Sequence, residues 1–283
     1  MAWLAGLCSV TLRAESIAEV VAIAAGAGLE AIEWGGDVHV PPGDLAVAAD
    51  ARRRSEDAGL RVVSYGSYLS CTPKVGRHVD AALDVTEALG TSMVRVWCPF
   101  GVEPGASSSE RAEVAEGVAI VAAAAATRQL SVYLEFHGGT LTASVPSTLE
   151  LLDAVGAANL LTAWQPPYWA PQDLASDRAD LAAIGDRLGH LHVYQWDPDG
   201  TRHRLATDDG FWPTRLAGAA AAIAGTGADA AAAASSGPGA ARPVGPRAAL
   251  LEFVPDDDPA AVAGEAATLR AWLSALDQEQ PRP

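Results

Sequence analysis

The chain lacks the cysteine pairs that staple a small secreted domain. Its three cysteines, Cys8, Cys71 and Cys98, are odd in number and far apart, so reduced thiols in a cytoplasmic protein are the expectation. Basic residues are scarce: 19 Lys and Arg stand against 35 Asp and Glu, for a net charge of -16 and a pI near 4.6. Nothing gathers them into a stripe, which argues against nucleic acid and anionic membrane surfaces as partners. No run of ~18 apolar residues is present to span a bilayer, because the Ala-rich runs are weakly apolar and broken by Gly and charge. The start, Met1-Ala-Trp-Leu-Ala5, has neither the basic segment nor the long apolar run of a secretory signal. No Gly-x-Gly-x-x-Gly follows the first apolar run, which removes the fingerprint of a dinucleotide-binding open sheet.

What is present is a regular alternation. Hydrophobic residues make up 49% of the 283, ample for one large core. Short strand-like runs cover Leu4–Cys8, Leu29–Trp34, Leu60–Tyr65, Ser92–Trp97, Leu130–His137, Asn159–Trp164, Leu188–Tyr194 and Arg247–Phe253. Helical spacing fills the gaps. Ser16 with Glu19, and Ser107 with Glu110, form capping-box signatures. Further helices are expected over about 43–58, from Pro73 to Gly90, from Pro146, over about 171–186, from Trp212-Pro213 and from Asp258-Pro259. Eight units at intervals of ~30–35 residues predict a single (β/α)8 TIM barrel over residues 1–283. A low-complexity loop rich in Ala, Gly, Ser and Pro is expected at about 226–246.

Chemistry collects where apolar strands stop. The fifth run ends in Glu135-Phe-His137 followed by two glycines. A buried carboxylate without a partner is too costly to serve packing alone. Strand six ends in Trp164-Gln165, strand seven carries His190 and His192, and strand eight ends in Glu252. Glu135, Gln165, His192 and Glu252 thus come from four consecutive strands and can converge at the C-terminal mouth of a barrel. Two carboxylates, an imidazole and an amide oxygen suit one divalent ion. For Glu135, a salt bridge to Arg95 is the structural alternative. His190 is expected to face away from the barrel axis. Six tryptophans (34, 97, 164, 169, 196 and 212) fall at or just after strand ends, where rings can stack on a small-molecule ligand. Trp97 and Trp164 are placed in that wall, with His39, Arg95, His137 and Arg204 as further substrate contacts.

The segments Leu134-Glu-Phe-His137, Gly189-His-Leu-His192 and Leu251-Glu252 along an eight-unit chain resemble the xylose-isomerase-like TIM-barrel superfamily. That group includes sugar (phosphate) isomerases and epimerases, inosose dehydratases and zinc AP endonucleases. The resemblance implies a metal ion (Mn, Mg, Co or Zn) held by Glu135, His192 and Glu252, with Gln165 where these barrels usually carry Asp. It implies proton transfer next to a carbonyl through an enediolate, with Glu135 and Glu252 as the acid/base pair. A dehydratase or lyase using the same chemistry, and a ligand-binding barrel that has lost catalysis, are the alternatives. The endonuclease branch fits less well, since Tyr168 stands near an expected zinc-binding His. Homodimers are common for such barrels.

Overall fold

The apolar runs pair in parallel, each with the next, and the last closes onto the first. The computed structural model describes residues 3–197, 199–208, 210–233 and 246–279. Its strands are β1 (Leu4–Cys8), β2 (Ala31–Gly35), β3 (Arg61–Ser70), β4 (Met93–Trp97), β5 (Ser131–Leu134), β6 (Leu160–Trp164), β7 (Leu188–Val193) and β8 (Ala248–Leu251). The helices are α1 (Ile17–Gly26), α2 (Leu45–Asp57), α3 (His78–Ala88), α4 (Ser108–Thr127), α5 (Val145–Val155), α6 (Leu174–Ile184), α7 (Phe211–Ala233) and α8 (Val262–Glu279). Gly6 lies opposite Leu250 where β1 meets β8, so the barrel has no open edge. This is the expected (β/α)8 architecture. Among the described residues no helix is long and apolar enough to cross a membrane.

Strand alternation sorts the side chains into two layers. Met93, Tyr133, Leu161 and Ala163 pack together inside the barrel. Trp34, Trp164 and Trp212 are fully buried in the larger core beneath the helices. Trp34 donates to Ser55 of α2 at 3.2 Å, and Trp212 donates to the Tyr194 carbonyl at 2.7 Å. These tryptophans fasten helices to the barrel, so half of the six expected at the mouth belong to packing.

Both capping boxes form: Ser16 with Glu19 at α1, and Ser107 with Glu110 at α4. Three boundaries differ from the sequence reading. Strand β3 continues to Ser70, because Leu69 and Ser70 pair with Val96 and Trp97 after a register shift beyond Gly66. Helix α3 begins at His78, not at Pro73, since Gly76 takes a left-handed φ of 48° that a helix cannot contain. Helix α7 runs on to Ala233, into the stretch expected as a loop from 226, while 234–245 lie outside the described residues.

Between α6 and α7, Arg215 donates to the buried Asp177 at 2.7 Å. Asp180 lies on the same helix, half-buried. Burial, and then the Asp177 charge, push its carboxyl up to about 6 from an ordinary 3.8. A raised carboxyl stabilises the fold below its unfolded value, and that contribution is lost as pH rises through about 6. Asp180→Asn is therefore expected to gain about 1 kcal/mol at pH 8, after allowing for solvent screening, and nothing below pH ~4. Urea unfolding at the two pH values measures this.

Candidate metal centre and its surround

Three strand ends bring acid and imidazole together. Glu135 follows β5, His192 lies on β7 and Glu252 follows β8. All three are buried. His192 Nδ1 lies 3.4 Å from Glu135 Oε1 and 3.1 Å from Glu252 Oε2. One ligand atom from each falls within 4.8 Å of the others, a spacing that a single ion can bridge. Neither ring nitrogen of His192 has a hydrogen-bond partner of good geometry. Gln165, at the end of β6, donates its amide to the Phe136 carbonyl at 2.6 Å. Its oxygen is buried without a partner. A buried acceptor left unmet costs about 1–3 kcal/mol, so orphaned atoms of this kind in a native site call for a ligand.

Arg95, from β4, fills the centre of the barrel at 1% exposure. Its Nη1 donates to Glu135 Oε2 and lies 3.9 Å from Glu252 Oε1. Its Nη2 lies 3.0 Å from Glu33 Oε1. Each of Glu135 and Glu252 thus turns one oxygen toward Arg95 and the other toward His192. Glu33, from β2, is fixed in turn: Ser64 donates to its Oε2 at 2.7 Å, and the Tyr133 hydroxyl donates to the same oxygen. Gly66 leaves room for this pair, since a Cβ there would lie 2.6 Å from Arg95 Nη2 and 2.9 Å from Glu33 Oε1. Gly66→Ala is expected to cost about 1–3 kcal/mol through overpacking, readable as a lowered melting temperature.

The electrostatics follow from this packing. Burial would raise the Glu135 carboxyl, but Arg95 and His192 outweigh it and hold the group near 2. Burial likewise opposes ionised Glu33, and Arg95 with His192 keeps it below the usual range. Burial disfavours the His192 cation, yet Glu252, Cys8 and Glu135 hold its pKa well above the ordinary value. Cys8, Glu33 and His192 form a second cluster of suitable spacing. It is the weaker candidate, because burial pushes the Cys8 thiol up to about 12 and a protonated thiol is a poor ligand. Both Glu33 oxygens are also already engaged.

The other expected contacts separate. His137 stands at the mouth with Nε2 2.8 Å from the Tyr168 hydroxyl and its ring stacked on Trp169. Trp97 is there too, 5.0 Å from the His137 ring. Trp164 is not: Gln165 faces inward, so Trp164 faces out and meets Trp212 edge-on at 6.4 Å. His39 is held by Ser9 Oγ at 3.0 Å and the Glu15 carbonyl at 3.1 Å, against Trp34. Arg204 is exposed beside Gly264 and Glu265 of α8. His190 corrects a further expectation. It lies inside the barrel, 5.2 Å from the Tyr133 ring, because residues two apart on a strand share a face. The sequence reading missed Glu33, Ser64 and Tyr133 as the support of Arg95. It also missed Tyr68 and Phe253, aromatic residues on left-handed backbone at the mouth.

The fold and the acidic cluster at its C-terminal mouth define a (β/α)8 barrel of the kind that places small-molecule sites at that end. The chain belongs to the xylose isomerase-like TIM barrel family, whose sequence model matches residues 21–223. No curated protein matches it. Solved structures with the same fold include an L-ribulose 3-epimerase (15% identity, 98% of this chain and 96% of that one, TM-score 0.71). A probable 3-DHS dehydratase, AsbF, involved in petrobactin synthesis in Bacillus anthracis is similar too (19%, 95% and 99%, TM-score 0.68). So is a xylose isomerase-like TIM barrel protein from Mycobacterium smegmatis in complex with magnesium (13%, 97% and 98%, TM-score 0.67).

Proposed function

We propose that the chain is a divalent-metal-dependent enzyme that moves a proton next to the carbonyl of a small polyhydroxylated compound, as an isomerase or epimerase. The observation that carries this reading is the pair of buried carboxylates, Glu135 and Glu252, each 3.1–3.4 Å from one imidazole nitrogen that has no hydrogen bond of good geometry. Glu135, His192 and Glu252 would hold the ion, with the orphaned Gln165 oxygen as a neutral fourth ligand. Mn, Mg, Co and Zn all accept such a set. When bound, the ion supplies a Lewis acid for a substrate carbonyl and its neighbouring hydroxyl.

The residues divide the remaining work. Arg95 holds Glu135 ionised and fixes its orientation. Glu252 lies farther from Arg95, at 3.9 Å, and is the carboxylate better placed to take up and return a proton. Glu135 would serve the opposite face in an epimerisation. His137 and Tyr168, hydrogen-bonded at the mouth, would orient hydroxyls. The same pair supports a second reading, elimination of water, because a hydroxyl leaving from the mouth side would find a proton donor there.

Proton abstraction is tested by incubating the Mn2+- or Mg2+-loaded protein with neutral keto-sugars and cyclic polyol ketones in D2O. The expected result is deuterium next to the carbonyl by NMR, abolished by chelation. No exchange across the panel from metal-loaded protein would refute the reading.

A further inference from the structure

The long end of β3 opens a cavity outside the barrel. Gly66 pairs with Arg95 and Leu69 with Val96, so Ser67 and Tyr68 bulge from the strand. Tyr68 takes a left-handed φ of 55° and stacks on Trp97 at the mouth. The Ser67 hydroxyl donates to the Arg95 carbonyl at 2.6 Å. The chain then leaves the sheet through Thr72 and Pro73 and passes a left-handed Gly76 before α3 begins. Between this segment and α3 lies a cavity of about 370 Å³. Ser70, Thr72, Lys74 and His78 supply polar groups to its wall, and Leu69 and Val75 are among the apolar ones. Ser67 and Tyr68 line it too, so two residues of its wall also touch Arg95.

The charge of this cavity is unmatched. The chain carries a single lysine among its 19 basic residues, and it is Lys74. Among the described residues, the side chains of Lys74, Arg77 and His78 have no ion-pair or hydrogen-bond partner, and the Ser70 and Thr72 hydroxyls have none either. By contrast, Arg13, Arg95, Arg128 and Arg202 are each paired with acids. No carboxylate lines the cavity. The acids of α3 point elsewhere: Asp80, Asp84 and Glu87 recur three to four residues apart on one helix face, and Arg128 binds all three. His78 and Ala82 face the cavity instead. An ammonium, an imidazole and two hydroxyls around one concavity offer donors with no fixed negative charge beside them. That set suits an oxyanion, whose several oxygens accept from all of them at once. The apolar part of the wall thins the water around such a pair and strengthens the attraction.

We infer that this cavity binds a small oxyanion, a phosphate or carboxylate group, with Lys74 as its principal contact and His78, Ser70 and Thr72 as further donors. The site is separate from the metal centre, none of whose ligands lines it, and it stands whether or not the proposed carbonyl chemistry does. The anion is either the far end of a substrate that reaches past Tyr68 or a free ligand. Because Lys74 is the sole lysine, reductive methylation with carbon-13 formaldehyde marks only it and the amino terminus, and Lys74→Gln assigns its NMR signal. Inorganic phosphate is expected to shift the Lys74 signal saturably, half-saturating at about 1 mM, while chloride at matched ionic strength does not. His78→Gln is expected to weaken phosphate binding about threefold or more. A keto-hexose 6-phosphate distinguishes the two sources. Binding that Mg2+ tightens about tenfold marks the anion as part of a substrate that also reaches the metal centre. Equal half-saturation with and without Mg2+ marks it as a free ligand, and either result supports the site. No saturable shift up to about 20 mM phosphate, an equal shift from chloride, or undiminished binding by His78→Gln overturns the inference.

Discussion

Arg95→Met is expected to lose about 3–5 kcal/mol of stability in the presence of a chelator. The guanidinium is the internal counter-ion of Glu33 and Glu135, and all three groups are at most 2% exposed. Without it, Glu33, Glu135 and Glu252 remain buried with only His192 to balance them. A divalent ion would restore part of that balance, so Mn2+ should raise the melting temperature of the variant by more than it raises that of the wild type. Arg95→Lys keeps the charge but loses the fork that spans Glu33 and Glu135, and should fall between the two. A loss under ~1 kcal/mol for Arg95→Met, or a smaller Mn2+ gain than in the wild type, would show that Arg95 does not organise the acidic ring.

Glu252→Gln should lower deuterium exchange about 10²–10⁴-fold, the usual contribution of a positioned general base. The amide keeps the shape and can still offer an oxygen to a metal, so bound metal should fall much less than turnover. Glu135→Gln should behave differently. It removes the partner of Arg95 as well as a ligand charge, and stability, metal content and exchange should all drop together. Comparing exchange rate with metal content in the two variants separates a carboxylate that acts chiefly as a base from one that also anchors Arg95 and the ion. Equal loss of both properties in both variants would remove the distinction drawn here between Glu135 and Glu252.

The barrel was legible because its rhythm is local. Each apolar strand and capped helix signals itself within about ten residues. The strand-end groups Glu135, Gln165, His192 and Glu252 were legible for a similar reason: a polar residue ending a buried strand is conspicuous. The support behind them was not. Glu33 was visible at the end of its strand, but its role depends on Arg95, Ser64 and Tyr133, which the fold alone brings beside it. The direction of a ring was equally hidden. Trp97 and Trp164 both close a strand, yet one reaches the mouth and the other the helix layer, according to strand phase. His190 shows the same rule: two residues from His192, it shares the inward face. Tyr68 and Phe253 gave no signal, because their left-handed backbone is set by packing and not by composition.

Metal stoichiometry is the most direct test of the central claim. The protein would be stripped, dialysed against Mn2+, Mg2+, Co2+ and Zn2+ in turn, and analysed by element alongside Glu135→Ala. About one ion per chain is expected for at least one metal, lost in the variant. No bound ion under any condition, or equal binding by Glu135→Ala, would contradict it and leave a barrel that binds its ligand without a metal.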